Sequence, residues 1–348
     1  MRFKTPLSTF LIIILSVILA IMLPSGGNPS AETRRKLQFG QRITAQIEDM
    51  RIDALAEVYS MEKILRLNWD ERPCPKPNPE GFTESSYKDE SIEVNITHER
   101  IYDSDVFFAE VKIAHPTQLR TAWSGGDYSS DIRVNPLQIS DYVNAAVSIN
   151  ADFAAHRQSD IITGQYGVIF RQDTFIRNNP GGYDLLMIDD RGDFHILYDD
   201  DAEVDEDGTY HKVSSDGSVT RHRIVNSMDF GPGLIIDGEI SVDTHACVPG
   251  WEVAEGRHPR TAVGQIGKLH YLLVIVCGRG AGVDAESAGV TIDQLAEIMY
   301  HKGCMQAYNL DGGQSSVLIF NQKIINPIPS EGVRQMTDIL YFATALDN

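Results

Sequence analysis

The stretch from Leu269 to Phe320 constrains the fold more tightly than any other part of the sequence. Leu269–Cys277 is a strongly apolar run of strand length. Thr291–Lys302 reads as a helix opened by a capping box, in which Thr291 can accept from the Gln294 N–H while the Gln294 side chain reaches back; Gly303 stops it. Ala307–Leu310 is a second strand, closed by Asp311-Gly312-Gly313, and Ser316–Phe320 is a third. A strand, helix, strand order implies an α/β or α+β sheet domain. Upstream, Ile92, Val94 and Ile96 alternate with polar residues, Val106–Ile113 follows, and a turn-rich region ends in Ala145–Asn150. Gly167–Phe170 and Asp184–Asp189 are strand-like, and Gly192 follows Asp189 in a hairpin turn. The expected fold class is therefore α+β: a mixed, β-sheet-rich single domain with flanking helices over residues 87–348.

The segment before this domain has a different texture. Arg2 and Lys4 precede Phe10–Leu23, in which only Ser16 is polar. With Pro6–Thr9 the segment reaches the ~17 residues of a short membrane-spanning helix. Residues 1–24 are read as a signal-anchor, with residues 7–23 in the membrane; a cleaved signal peptide is the alternative. Either reading puts the bulk of the chain outside the cytoplasm. Residues 25–72 read as a spacer and helical stalk, since Ile43, Ile47, Met50, Ala54, Met61 and Leu65 recur at spacings of three, four and seven. Pro73, Pro75, Pro77 and Pro79 then end any helix, and residues 73–86 are read as a linker.

Charge and composition remove whole classes of function. Of the 348 residues, 42% are hydrophobic and 23% charged, as in a globular protein. Residues 1–72 carry a net +2 and the remainder −21, so nucleic acid is disfavoured as a partner. Gly278-Arg279-Gly280-Ala281-Gly282 is GxGxG, and the next helix starts nine residues later, which does not fit a dinucleotide loop. The acidic run Asp199–Asp207 lacks the order of a calcium loop. Cys74, Cys247, Cys277 and Cys304 are too few and too scattered for a disulfide framework. No Cys/His cluster has zinc spacing, so neither metal site nor cofactor is expected; a structural calcium or magnesium ion is left open.

What remains is a set of polar motifs at the ends of apolar strands: Ser148–Phe153, Arg257–Gly264, Cys277-Gly278-Arg279 and Asn309–Ser316. Together they supply guanidinium groups suited to phosphate, carboxylates suited to work at a sugar carbon, and a side-chain amide. Each motif alone is also ordinary turn chemistry. Their order, Ile149-Asn150-Ala151-Asp152-Phe153, Arg257–Gly264, Cys277-Gly278-Arg279, Ser287 to Thr291 and Asn309–Ser316, resembles the phosphodiester glycosidase family across roughly residues 87–346. The resemblance implies hydrolysis of a sugar-1-phosphodiester, releasing the sugar and leaving a phosphomonoester. Asn150, Arg260, Thr261, Arg279, Asp311, Gly312 and Gly313 fall on family motif positions, as do Ser287, Ser315 and Ser316. This chain departs from the pattern in having Ala151 and Asp152 after Asn150, Cys277 before Gly278-Arg279, and Gln314 after Gly313.

The roles so implied are Asp311 for attack at the anomeric carbon or activation of water, and Asp152 and Asn150 as its catalytic companions. Arg260 and Arg279 would hold the phosphate, with Thr261, Gly312, Gly313, Ser315 and Ser316 around the substrate. A phosphate monoester leaves readily, so a strong general acid is less needed than for an ordinary glycoside. The substrate expected is a phosphodiester-linked glycan of cell wall or exopolysaccharide. The rival is a non-catalytic module binding anionic wall or capsule polymer through the same arginines.

Overall fold

The computed structural model describes residues 65–70, 73–125, 132–152, 167–198, 204–205, 207–213, 218–244, 246 and 256–346. An eight-stranded sheet runs in the order β1 (Ser86–Lys88), β2 (Ile92–Ile101), β3 (Ser104–Ile113), β15 (His270–Val276), β14 (Arg260–Gly267), β16 (Gln306–Leu310), β12 (Gly233–Ile236) and β13 (Glu239–Ile240). A five-stranded sheet orders β18 (Lys323–Ile324), β17 (Leu318–Phe320), β5 (Val147–Asn150), β19 (Asp338–Phe342) and β4 (Leu119–Trp123). A four-stranded sheet orders β10 (Thr209–Val213), β11 (Val219–Met228), β8 (Asp184–Asp189) and β9 (Phe194–Tyr198), and β6 (Gly167–Arg171) pairs with β7 (Thr174–Asn179).

The central strand β15 is apolar after its first residue, His270, because both its faces are covered. On one side Leu272, Val274 and Val276 join Val106, Phe108 and Ala262 against Ile292, Leu295 and Met299 of α2 (Ile292–His301). Each fully buried Leu or Met there contributes about 1.5–3 kcal/mol. On the other side Tyr271 meets Phe342 of β19, with ring centroids 5.3 Å apart, so the five-stranded sheet backs the larger one. The capping box forms as the sequence requires: Thr291 Oγ1 accepts from the Gln294 N–H at 3.2 Å, and Gln294 Oε1 from the Thr291 N–H at 3.1 Å.

The α+β expectation is overturned. Among the described residues nineteen strands stand against two α-helices, α2 and α1 (Pro136–Tyr142), so the domain is mostly β. The reason lies in what the strand, helix, strand stretch turns out to be. β15 and β16 both lie antiparallel to β14, one on each side, and α2 is a single excursion that carries the chain across that middle strand. Every strand pairing in the described residues is antiparallel, and helical crossovers do not recur. The helix expected for the stalk also fails at its far end. Residues 65–68 are not helical, and Leu67 is buried with Cys74, Ala343 and Ala345. The remainder of the stalk and the apolar run 7–23 lie outside the described residues. No helix among the described residues is long and apolar enough to cross a membrane.

Candidate functional site

The polar motifs converge where the two large sheets meet. β5 ends at Asn150 and β14 begins at Arg260, while β16 ends one residue before Asp311. Asn150 staples these ends together. Its Nδ2 donates to the Asp311 carbonyl at 2.5 Å, and its Oδ1 accepts from Thr261 Oγ1 at 2.8 Å and from the Val317 N–H at 3.3 Å. The Asp311 N–H in turn reaches the Ala151 carbonyl at 3.3 Å. A buried amide used this fully fixes three chain segments.

Asp311 itself is 8% exposed, and Arg334 lies 3.9 Å from its Oδ2. Burial pushes its carboxyl up to about 6, and the nearby Asp152 charge adds to the rise; Ser315, the Arg334 guanidinium and the Gly312 N–H hold it in check. Asp152 is held differently. Its Oδ2 accepts from Arg171 Nη2 at 2.6 Å and its Oδ1 from the Asp229 N–H at 3.2 Å. Arg171 also reaches Asp338 of β19 at 3.4 Å, and all three side chains are buried. Two carboxylates thus share one field, one ion-paired and one poised near neutrality.

Gly312 and Gly313 set the other wall. A Cβ on Gly312 would lie 2.7 Å from the Pro259 carbonyl, and the Gly313 N–H donates to that same oxygen at 3.0 Å. Gly313 takes φ +65, and a Cβ there would sit 3.2 Å from Arg279 Nη2. The glycines therefore let the Asp311 turn pass against the Pro259 backbone and under the Arg279 guanidinium. Arg279 is exposed, and among the described residues it has neither hydrogen bond nor ion pair. Arg260 is buried instead, its Nε donating to the Val290 carbonyl at 3.1 Å and its Nη2 to the Gly256 carbonyl at 2.7 Å.

The family model for phosphodiester glycosidases matches residues 143–343, which contain every one of these groups. The chain belongs to the phosphodiester glycosidase family. That family consists of glycosidase-type hydrolases of phosphodiester-linked sugars. Among solved structures the chain is similar to the zebrafish N-acetylglucosamine-1-phosphodiester alpha-N-acetylglucosaminidase catalytic domain auto-inhibited by pro-peptide. The TM-score is 0.55 at 19% identity, covering 78% of this chain and 87% of that one. A hypothetical protein from Synechocystis follows with TM-score 0.50 at 15% identity, over 72% of this chain and 62% of that one. The SPbeta prophage-derived uncharacterized protein YomE of Bacillus subtilis is 34% identical over 116 residues, which is 33% of this chain. The chain spans 17% of that relative's length.

For a phosphodiester glycosidase the motif residues divide into three groups. Asp311, Asp152, Gly312, Gly313, Ser315 and Arg279 gather around one place. Asn150 and Thr261 hold that place together from behind, both buried and bonded to each other. Arg260 and Ser287 serve neighbouring backbone. Ser287 Oγ donates to Asp105 Oδ2 at 3.1 Å and accepts from the Asp105 N–H at 3.0 Å, which ties down the loop after β15. Asp105 also accepts from His98 and Val283, and these donors outweigh its burial and keep its carboxyl below the usual range. Ser316 is buried, and its hydroxyl has no partner among the described residues.

Cys277 is buried with its thiol pushed up to about 12 by burial and then by Asp105, so it is no nucleophile at neutral pH. Cys74, Cys277 and Cys304 are free thiols. Ala151 is wholly buried, so its methyl is accommodated beside the site. Two residues escaped the sequence reading. Arg334 sits on the loop that leads into β19, outside the motifs at the other strand ends, and nothing local marks it. His258 stands between Arg257 and Pro259-Arg260 in a motif already singled out. Its half-buried imidazole is held below the ordinary value by burial, then by Arg260 and Arg279, and is neutral at pH 7.

Proposed function

We propose that this protein hydrolyses the C–O bond of a sugar-1-phosphodiester in an extracytoplasmic cell-wall or exopolysaccharide glycan. The observation that carries the reading is the pairing of two unlike groups. The Asp311 carboxyl is raised to about 6, and the unengaged Arg279 guanidinium covers the adjacent Gly313. A carboxylate with that pKa is ionised at pH 7 yet basic enough to attack the anomeric carbon or take a proton from water. Arg279 offers a planar fork for the phosphate, with Arg334 as a second cation beside Asp311. Asp152, fixed by Arg171, is the second carboxylate.

In the overall reaction water is added across the C1–O bond. The sugar carbon gains the hydroxyl and the phosphate monoester departs with its bridging oxygen. Local cations are needed because the domain is acidic and repels a phosphodiester at long range. The apolar segment at 7–23 supports placing this activity outside the cytoplasm.

The deciding experiment is hydrolysis of a synthetic sugar-1-phosphodiester in oxygen-18 water. Label in the released sugar supports the proposal, and label in the phosphate means P–O cleavage and overturns it. Saturable binding without turnover of any such diester also overturns it, in favour of a polymer-binding module.

A further inference from the structure

A second cluster of functional groups lies in the four-stranded sheet, well away from Asp311. Asp189 ends β8, His195 lies in β9 and His222 in β11. His195 Nε2 and His222 Nδ1 both approach Asp189 Oδ2, at 3.0 Å and 2.9 Å. One ligand atom from each residue falls within 4.8 Å of the other two. We propose that Asp189, His195 and His222 bind a single divalent first-row transition ion, with Zn²⁺ as the best match to two imidazoles and a carboxylate.

The donor set and its spacing carry the argument. Zinc takes imidazole nitrogen and carboxylate oxygen at about 2.0–2.2 Å, which puts neighbouring ligand atoms about 3.3 Å apart. The observed 2.9–3.0 Å separations reach that with shifts of a few tenths of an ångström. The surrounding bonds orient two of the three ligands, Asp189 and His222, as an outer shell does. Asp189 Oδ1 accepts from the Arg191 and Asp193 N–H groups, both at 2.9 Å, which turns Oδ2 towards the imidazoles. The remaining His222 nitrogen meets Thr220 Oγ1 at 3.1 Å, so Nδ1 is the one free to ligate.

Three strands of one sheet hold the three ligands. The same sheet region carries the cluster of Leu185, Met187, Tyr210 and Ile224, which fixes their backbone. The His222 side chain is 15% exposed, leaving an edge open for a water ligand.

A purely structural hydrogen-bonded trio accounts for this arrangement less well. The His195 side chain is more than nine-tenths buried, and its Nδ1 has no partner among the described residues. A histidine placed there only to donate one bond to Asp189 leaves that nitrogen unsatisfied in the interior, at a cost of about 1–3 kcal/mol. Ligation through Nε2 leaves the same nitrogen unpaired, but it replaces one hydrogen bond by a coordinate bond to the ion, which is strong enough to offset that cost.

The site is separate from the hydrolytic one. Asp229, whose N–H holds Asp152, lies about 24 Å along the chain from His222 at strand rise. The ion would therefore brace the sheet and leave the glycosidic bond to Asp311 and its neighbours. Spacing hid it from the sequence: the two histidines sit on different strands with a hairpin between them, and no short motif joins them.

The test is titration of EDTA-treated full-length protein with ZnCl₂, followed by calorimetry and thermal unfolding, with Co²⁺ absorption reporting the donor set. The expected result is one equivalent bound and a raised Tm. Binding should weaken at least ~10-fold in His222→Gln and in Asp189→Asn. Calcium and magnesium should not compete, because nitrogen donors do not suit them. No saturable one-equivalent binding by the wild type overturns the proposal. So does unchanged affinity in His222→Gln, a half-buried position where the fold can be checked by circular dichroism.

Discussion

Replacing Asp311 by Asn should make the protein more stable while removing its activity, and the two effects come from the same buried charge. The carboxyl is raised from 3.8 to about 6 in the folded state. A shift of that size is worth about 3 kcal/mol between the protonation states. Its sign follows from proton binding. The folded chain holds this proton more tightly than the unfolded chain does, so the associated stability is fully present below about pH 4 and is lost as the pH rises towards 6. At pH 7 the wild type carries nearly the whole penalty, whereas Asn keeps the shape and has no charge to bury. The variant's advantage should therefore be about 3 kcal/mol at pH 7 and shrink to about 0.5 kcal/mol at pH 4. Urea unfolding of both proteins at pH 4, 5 and 7, followed by fluorescence, measures this directly. The turnover of a sugar-1-phosphodiester should fall at least ~10²-fold in parallel. A stability difference that is flat with pH, or that favours the wild type at pH 7, would refute the buried-carboxylate argument.

Four further outcomes are expected. The kcat/KM of the wild type should rise about tenfold per pH unit below pH 6 and level off above it, as read from a pH–rate profile. Arg279→Asn, which tolerates the φ of 55 at this position, should leave the melting temperature unchanged and raise KM for the diester at least ~10-fold. Arg260→Lys should do the reverse, losing about 2 kcal/mol of stability in chemical denaturation because its fork holds two main-chain carbonyls. Arg171→Met should cost about 3–5 kcal/mol, since it strands Asp152 and Asp338 as buried charges; a loss near zero in the same assay would mean those carboxyls are neutral in the fold.

Much of the site was legible because turn chemistry is local. Asn150, Asp311, Gly312 and Gly313 stand in short motifs whose order along the chain carries the family pattern. The alternating Ile92, Val94 and Ile96 of β2 and the Thr291 cap were readable for the same reason, since alternation and capping depend on neighbours a few residues away. The fold class was not legible, because one capped helix between two apolar strands does not say whether crossovers recur. The division between Arg260 and Arg279 also escaped. Both follow the same rule for phosphate recognition, and only packing decides which one is spent on the Val290 and Gly256 carbonyls. Arg334 and the Asp189, His195 and His222 trio are products of tertiary approach alone.

The place of β19 bears on when the protein becomes competent. This strand lies inside the five-stranded sheet, between β5 and β4, and Asp338 at its start reaches Arg171 from 167 positions away in the chain. A ribosome needs on the order of 10–30 s to add that many residues. Until it has done so, β4 and β5 have no partner between them, and the trio of Arg171, Asp152 and Asp338 lacks one of its three members. The chain therefore cannot assemble its reactive end progressively as it is made. The hydrolytic centre closes in one late event, when β19 slots between two strands made long before it.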